Sequence, residues 1–162
     1  SLNAAPGTEY VLLKATYRHD KYSWGKNFSC VTVKTISVDE SNKRVTSQFT
    51  FKNATTGIHS VTETVHAVSS NGSETPNAFQ YELGDGTIVT DYVIYTDHAC
   101  DLINVPYEQK GKGCELWVRK ESVDKVPPCC LFMYKILCAR SSYDIYEKNK
   151  CSDVEKYPGA KK

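Results

Sequence analysis

Eight short runs rich in Val, Ile, Thr, Tyr and Phe, separated by clusters of Gly, Asn, Asp and Ser, follow one another before any stretch that suits a helix. They read as strands from Glu9 to Tyr17, Phe28 to Ser37, Arg44 to Asn53, Ile58 to Val68, Ala78 to Leu83, Thr87 to Thr96, Cys100 to Val105 and Cys114 to Arg119. Asp85-Gly86, between the fifth and sixth runs, is a hairpin signal, because glycine takes positive φ without steric cost. After Pro127-Pro128 strict alternation stops. Cys129 to Arg140 carries Leu131, Met133, Tyr134 and Leu137 without glycine, which predicts one helix docked outside the sheet.

This pattern predicts an all-β fold: an eight-stranded antiparallel, lipocalin-like barrel with a C-terminal α-helix packed outside, closed so that no sheet edge is left bare. A β-sandwich of similar strand count stays open. The 162 residues suit a single domain, 1–162, with a loose tail over 152–162. Lys and Arg total 20 against 19 for Asp and Glu, which leaves none of the basic excess of a nucleic-acid binder. No apolar run approaches the roughly 18 residues of a membrane span, so the chain reads as mature, with neither nucleic acid nor membrane as partner.

Seven cysteines (30, 100, 114, 129, 130, 138 and 151), with no Cys-x-x-Cys pair and with His19, His59, His66 and His98 far from paired cysteines, favour disulfides over metal ligation. Acceptor sequons at Asn27, Asn53 and Asn71 add a second indication of secretion. No Gly-x-Ser-x-Gly elbow, phosphate loop or His-Glu-x-x-His motif is present, so the expectation is a protein without cofactor that catalyses nothing.

The chemistry lies in the alternation, because successive strand residues face opposite sides. Val61, Glu63, Val65 and Ala67 share a face, as do Val89, Asp91, Val93 and Tyr95. Phe79, Tyr81 and Leu83 line up, Glu115 and Trp117 oppose Leu116 and Val118, and Val31, Val33, Phe49 and Phe51 extend the apolar rows. If these rows face inward, the lumen holds aromatic rings with Glu63, Asp91 and Glu115, and no Lys or Arg in phase except Arg119 at a strand end. One such carboxylate more often faces solvent, but three in apolar register argue for a common interior. Buried carboxylates repel one another and are costly unless paired. A small organic cation whose ring packs between aromatic walls would complete the site.

Cys100-Asp101-Leu102, Glu115-Leu116-Trp117 and Cys130 together resemble the pattern of the amine-binding tick salivary lipocalins, the histamine-binding family. The likeness extends over nearly the whole chain: Lys14-Ala15-Thr16-Tyr17, Asp20, Trp24-Gly25, Phe28-Ser29-Cys30, Asn77-Ala78-Phe79-Gln80-Tyr81-Glu82 and Thr90-Asp91 all look like that family's segments. The resemblance implies a salivary, extracellular scavenger of histamine, or of serotonin, that blunts host inflammatory and haemostatic responses. It implies a first amine site of Tyr17, Asp20, Trp24, Glu63, Phe79, Val89 and Asp91, with Val89 in place of a phenylalanine widening it towards an indole. It implies a second, weaker or missing site drawing on Ser1, Tyr10, Tyr81, Asp101, Glu115 and Trp117, since Ala5 stands where a two-site relative has aspartate. It further implies disulfides Cys30 with Cys151 and Cys100 with Cys130.

Cys114 should then face outward, because Glu115 faces in, and pair with Cys138 on the outer helix. Cys129 is left unpaired or links two chains, so the expectation is a monomer or a disulfide-linked dimer. Two other readings share the sequence: a barrel for a fatty acid or eicosanoid, which needs a basic residue in the lumen, and a protein-binding inhibitor with a vestigial cavity.

Overall fold

Alternation of apolar and polar residues becomes a closed wall because the first long strand hydrogen-bonds to the last. The computed structural model describes residues 5–70, 72–83, 85–138 and 141–157. Its elements are β1 (Glu9–Ala15), β2 (His19–Asp20), β3 (Gly25–Lys26), β4 (Ser29–Asp39), β5 (Arg44–Asn53), β6 (Gly57–Val68), β7 (Ala78–Glu82), β8 (Ile88–Thr96), β9 (Cys100–Val105), β10 (Gly113–Arg119), α1 (Pro128–Cys138), β11 (Tyr143–Asp144) and α2 (Ser152–Glu155). The sheet order β10-β9-β8-β7-β6-β5-β4-β1 closes through β1 against β10, with Tyr10 opposite Arg119 and Ala15 opposite Glu115. The eight long strands are those read from the sequence, and none of their ends moves by more than two residues.

β1 pairs with β4 only from Glu9 to Val11, and the backbone this frees is taken up by β11, with Lys14 opposite Asp144 and Ala15 opposite Tyr143. An edge that would otherwise invite another strand is thereby covered. At the β7–β8 turn Gly86 adopts φ 87°, and Asp85 Oδ1 accepts from the Thr87 N–H at 2.9 Å.

The interior core holds Tyr10, Leu12, Tyr17, Trp24, Phe28, Val31, Phe51, Ile103 and Trp117. Outside the wall, Leu102, Leu116 and Val118 pack under Cys130 and Tyr134 of α1. Pro128 opens α1 at the position where a missing N–H costs nothing. The helix expected to reach Arg140 is described only to Cys138, and residues 139–140 lie outside the described residues.

Two further expectations are corrected. Tyr95 does not continue the row of Val89, Asp91 and Val93, because a register shift in β8 between Val93 and Tyr95 sets Tyr95 opposite Leu102, among the side chains beneath the helix. The tail is not loose from its first residue: 152–155 form α2, and Val154 is wholly buried beside Val11 and the Cys30–Cys151 disulfide. Residues 158–162 lie outside the described residues.

Three disulfides staple the barrel, Cys30–Cys151, Cys100–Cys130 and Cys114–Cys138, while Cys129 is exposed and free. Loop closure makes the long bridge, with 121 residues of separation, worth more than the Cys114–Cys138 bridge, with 24. Urea unfolding should therefore show the Cys30→Ala/Cys151→Ala variant destabilised by about 4–5 kcal/mol and the Cys114→Ala/Cys138→Ala variant by about 3 kcal/mol. The reverse order would count against chain entropy as the main contribution.

Candidate functional site

The chain between β1 and β4 does not skirt the barrel end but folds across it. The β2–β3 hairpin carries this plug, and Asp20, almost fully buried, holds its turn by accepting from the backbone N–H groups of Tyr22 at 2.9 Å and of Ser23 and Trp24 at 3.2 Å. Gly25, at φ 88°, follows with its Cα so close to Asn53 that a Cβ would sit 2.6 Å from Asn53 Nδ2. Asn53 Nδ2 in turn donates to the Trp24 carbonyl at 3.0 Å. Trp24 is thus driven into the lumen.

Inside, the Glu115 carboxylate receives three donors. Trp24 Nε1 donates to Oε2 at 3.0 Å, the Tyr17 hydroxyl donates to the same oxygen, and Trp117 Nε1 donates to Oε1 at 3.1 Å. Burial still pushes this carboxyl above its ordinary range, against the pull of those donors. Tyr17 is likewise held well above the usual phenol range, by burial and then by the Glu115 charge.

A cavity of about 130 Å³ opens beside this cluster, lined by Trp24, Phe49, Phe79, Tyr81 and Trp117 and by the carboxyl groups of Glu63, Asp91, Asp101 and Glu115. Among the described residues no Lys or Arg lines it; Arg119 instead lies over the Tyr10 ring, 5.5 Å from its centroid, and 3.7 Å from Glu121. Asp101 accepts from Thr96 Oγ1 at 2.5 Å. Asp91 is 9% exposed, and its Oδ2 accepts from the Tyr81 hydroxyl at 3.4 Å while its Oδ1 is buried with no hydrogen-bond partner among the described residues. Its pKa is raised well above the ordinary value by burial, then by the charge of Glu115. Glu63 is half-buried and raised by burial.

The structure brings together most of the residues picked from the sequence, but not as two sites. Trp24, Glu63, Phe79 and Asp91 of the first set and Tyr10, Tyr81, Asp101, Glu115 and Trp117 of the second line one cavity. The sets are cross-linked, Tyr17 and Trp24 to Glu115 and Tyr81 to Asp91. Tyr17 and Asp20 stand behind the wall, hydrogen-bonded to Glu115 and to the backbone of Trp24 respectively. Val89 is buried opposite Tyr81 but does not line the cavity, so it does not widen it. Ser1 lies outside the described residues, and Ala5 does not line the cavity.

Tyr107, in the β9–β10 connection, is the residue that alternation misses: it stacks edge-on against Tyr22 at 4.9 Å and its hydroxyl meets that of Tyr81. Beside it, burial and then the neighbouring Asp20 carboxyl push the Glu108 carboxyl up to about 8.

Among the described residues one grouping, Asp97, Cys100 and Cys130, has atoms spaced as metal ligands are, within 4.8 Å, but both sulfurs are spent in a disulfide. Of the sequons, Asn27 is exposed, whereas the side-chain nitrogen of Asn53 is engaged by Trp24 and packed on Gly25. Asn71 lies outside the described residues.

A family profile described as "Tick histamine binding protein" matches residues 1–153. The "Female-specific histamine-binding protein 1" of Rhipicephalus appendiculatus is 32% identical over 124 residues, 75% of this chain and 64% of that protein. The "Male-specific histamine-binding salivary protein" of the same tick is 30% identical over 138 residues, 82% and 68% of the two chains. The chain thus spans about two thirds of the length of the curated relatives it matches. Among solved structures, Japanin from R. appendiculatus, bound to cholesterol, superposes with a TM-score of 0.65 at 15% identity, covering 93% of this chain and 99% of that one. Lobster apocrustacyanin A1 gives 0.63 at 11%, covering 94% and 83%. At such identities these two establish the fold alone, that of a lipocalin.

Each raised carboxyl binds its proton more tightly in the folded than in the unfolded chain, so stability falls as pH rises from the unfolded value through the folded one. For Glu108 that window runs from 4.5 to about 8. The thermal midpoint of the ligand-free protein is expected to drop between pH 5 and 8, and Glu108→Gln should flatten the slope; parallel curves for the two proteins would remove Glu108 as a source.

Proposed function

Because the chain belongs to the tick histamine-binding protein family, we propose that its barrel captures one small protonated amine, histamine first, without chemical turnover. The observation that carries this reading is the buried Asp91 Oδ1, without a partner among the described residues, in a cavity whose described charged side chains are all acidic. An ammonium or imidazolium would give that oxygen a partner and pair with the negative charge, while Phe79, Trp24 and Trp117 offer ring faces to its apolar part. Size supports a single ring: a cavity of about 150 Å³ accommodates benzene, and this one measures about 130 Å³. Serotonin, with a fused bicyclic ring, is the comparison ligand rather than the first choice. An anionic guest such as a fatty acid would meet carboxylates and, among the described residues, no cation in the wall.

Binding an ammonium beside Asp91 and Glu115 requires them ionised, so the amine competes with protons. The relative's name, a histamine-binding salivary protein, supports secretion into saliva, where capture would deprive host receptors of their agonist. The free, exposed Cys129 is the thiol through which two such barrels could be joined.

Titration calorimetry should give one histamine per barrel, weaker binding as pH is lowered from 8 to 5, and a loss of about thirtyfold or more for Asp91→Asn. A neutral isostere of the amine should bind more weakly still. Unchanged affinity in Asp91→Asn would sink the reading. A dimer through Cys129 predicts a band of doubled mass on a non-reducing gel that collapses on reduction; a monomer band in both lanes would eliminate it.

A further inference from the structure

At the plugged end of the barrel the β9–β10 connection, residues 106–112, lies opposite the segment that follows β1, because β1 and β10 run antiparallel with Ala15 beside Glu115. Thr16 Oγ1 donates to Gln109 Oε1 at 2.6 Å and Gln109 Nε2 donates to the Thr16 carbonyl at 2.8 Å, so the two segments are tied together. Tyr107 projects from this tied turn, edge-on against Tyr22, and its hydroxyl meets that of Tyr81, which in turn donates to Asp91 Oδ2 at 3.4 Å. Tyr81 sits on β7 and Asp91 on β8, two residues of offset apart in the register that sets Phe79 opposite Asp91.

We propose that Tyr107 is a positioning residue of the cavity: by donating to the Tyr81 hydroxyl it fixes the phenol that holds Asp91 Oδ2, leaving Oδ1 as the oxygen that meets a cation. The inference rests on the amine reading for its ligand but not for its geometry. A carboxylate with neither oxygen restrained can rotate and share its charge among its neighbours. With the Tyr107–Tyr81 relay in place, rotation would break a bond that a buried group replaces only at a cost. Loop and strand are thereby joined, since the residue that orients the acid belongs to a turn tied to the plug.

The groups that face Asp91 set what its titration will report. Glu115 from β10 and Asp20 from β2 disfavour its ionised form by their charge, whereas the hydroxyls of Tyr81, directly, and of Tyr107, through Tyr81, favour it. Glu63 from β6 and Asp101 from β9 line the same cavity. Removing the Tyr107 hydroxyl while keeping its ring should therefore raise the pH at which Asp91 ionises.

The test is the Tyr107→Phe variant, read first without ligand by the carbon-13 carboxyl resonance of Asp91 in labelled protein. Its midpoint is expected to move to higher pH, and Tyr81→Phe should shift it in the same direction. Histamine titration at pH 7 should then show about tenfold weaker binding for Tyr107→Phe, with the pH for half-maximal binding displaced upward in step with Asp91. A loss of affinity equal at every pH, or an Asp91 midpoint that stays in place, would overturn the positioning role even if the wild type binds histamine. A displaced midpoint in a wild-type background that binds no histamine would uphold the role and defeat the ligand reading instead.

Discussion

A carboxylate buried without a cation is the constraint around which this barrel is arranged. Glu115 is 4% exposed and is held by two indole N–H groups and one phenol, each from a different stretch of chain: Tyr17 after β1, Trp24 in the plug and Trp117 on β10. Leaving any of these donors or the acid itself unmatched in the interior would cost about 1–3 kcal/mol per group, more for the charge. The plug is consequently not an optional loop, because its tryptophan satisfies the acid while the acid fixes the tryptophan. The same three rings become cavity wall or the support immediately behind it.

What is satisfied at Glu115 is left incomplete at Asp91, and the contrast separates framework from site. Both carboxyls are raised by burial, but Glu115 has donors on both oxygens and Asp91 on one. A protein that kept every buried acid saturated would have nothing to offer a cation. One that kept none saturated would have no fixed end to its barrel.

Period-two patterning made most of this arrangement legible in advance. It located the eight long strands, turned Glu63, Asp91 and Glu115 inward, and set Cys114 on the outer face from which it reaches Cys138. It failed where the period itself fails. The register shift between Val93 and Tyr95 moves Tyr95 to the other side of the wall, and no residue in that stretch announces a bulge. Tyr107 lies in a turn, where alternation carries no meaning, and its partner Tyr81 is 26 positions away. The division of the lumen into two sets of residues was inherited from resemblance; the hydrogen bonds that merge them depend on how far the plug enters the barrel, which strand patterning does not encode.

The Cys30–Cys151 bridge has a consequence for resistance to proteolysis. It encloses every turn from β4 to the approach of α2 in one covalent ring. Exposed turn tips such as Asp85-Gly86 are where proteases cut first. A single cut anywhere inside that ring severs the backbone yet releases no fragment, so the two halves stay tethered and can remain paired strand to strand. Within the ring, digestion would have to cut twice between bridges, or cut once and reduce a bridge, before a piece of the wall could diffuse away; β1, ahead of Cys30, lies outside this protection.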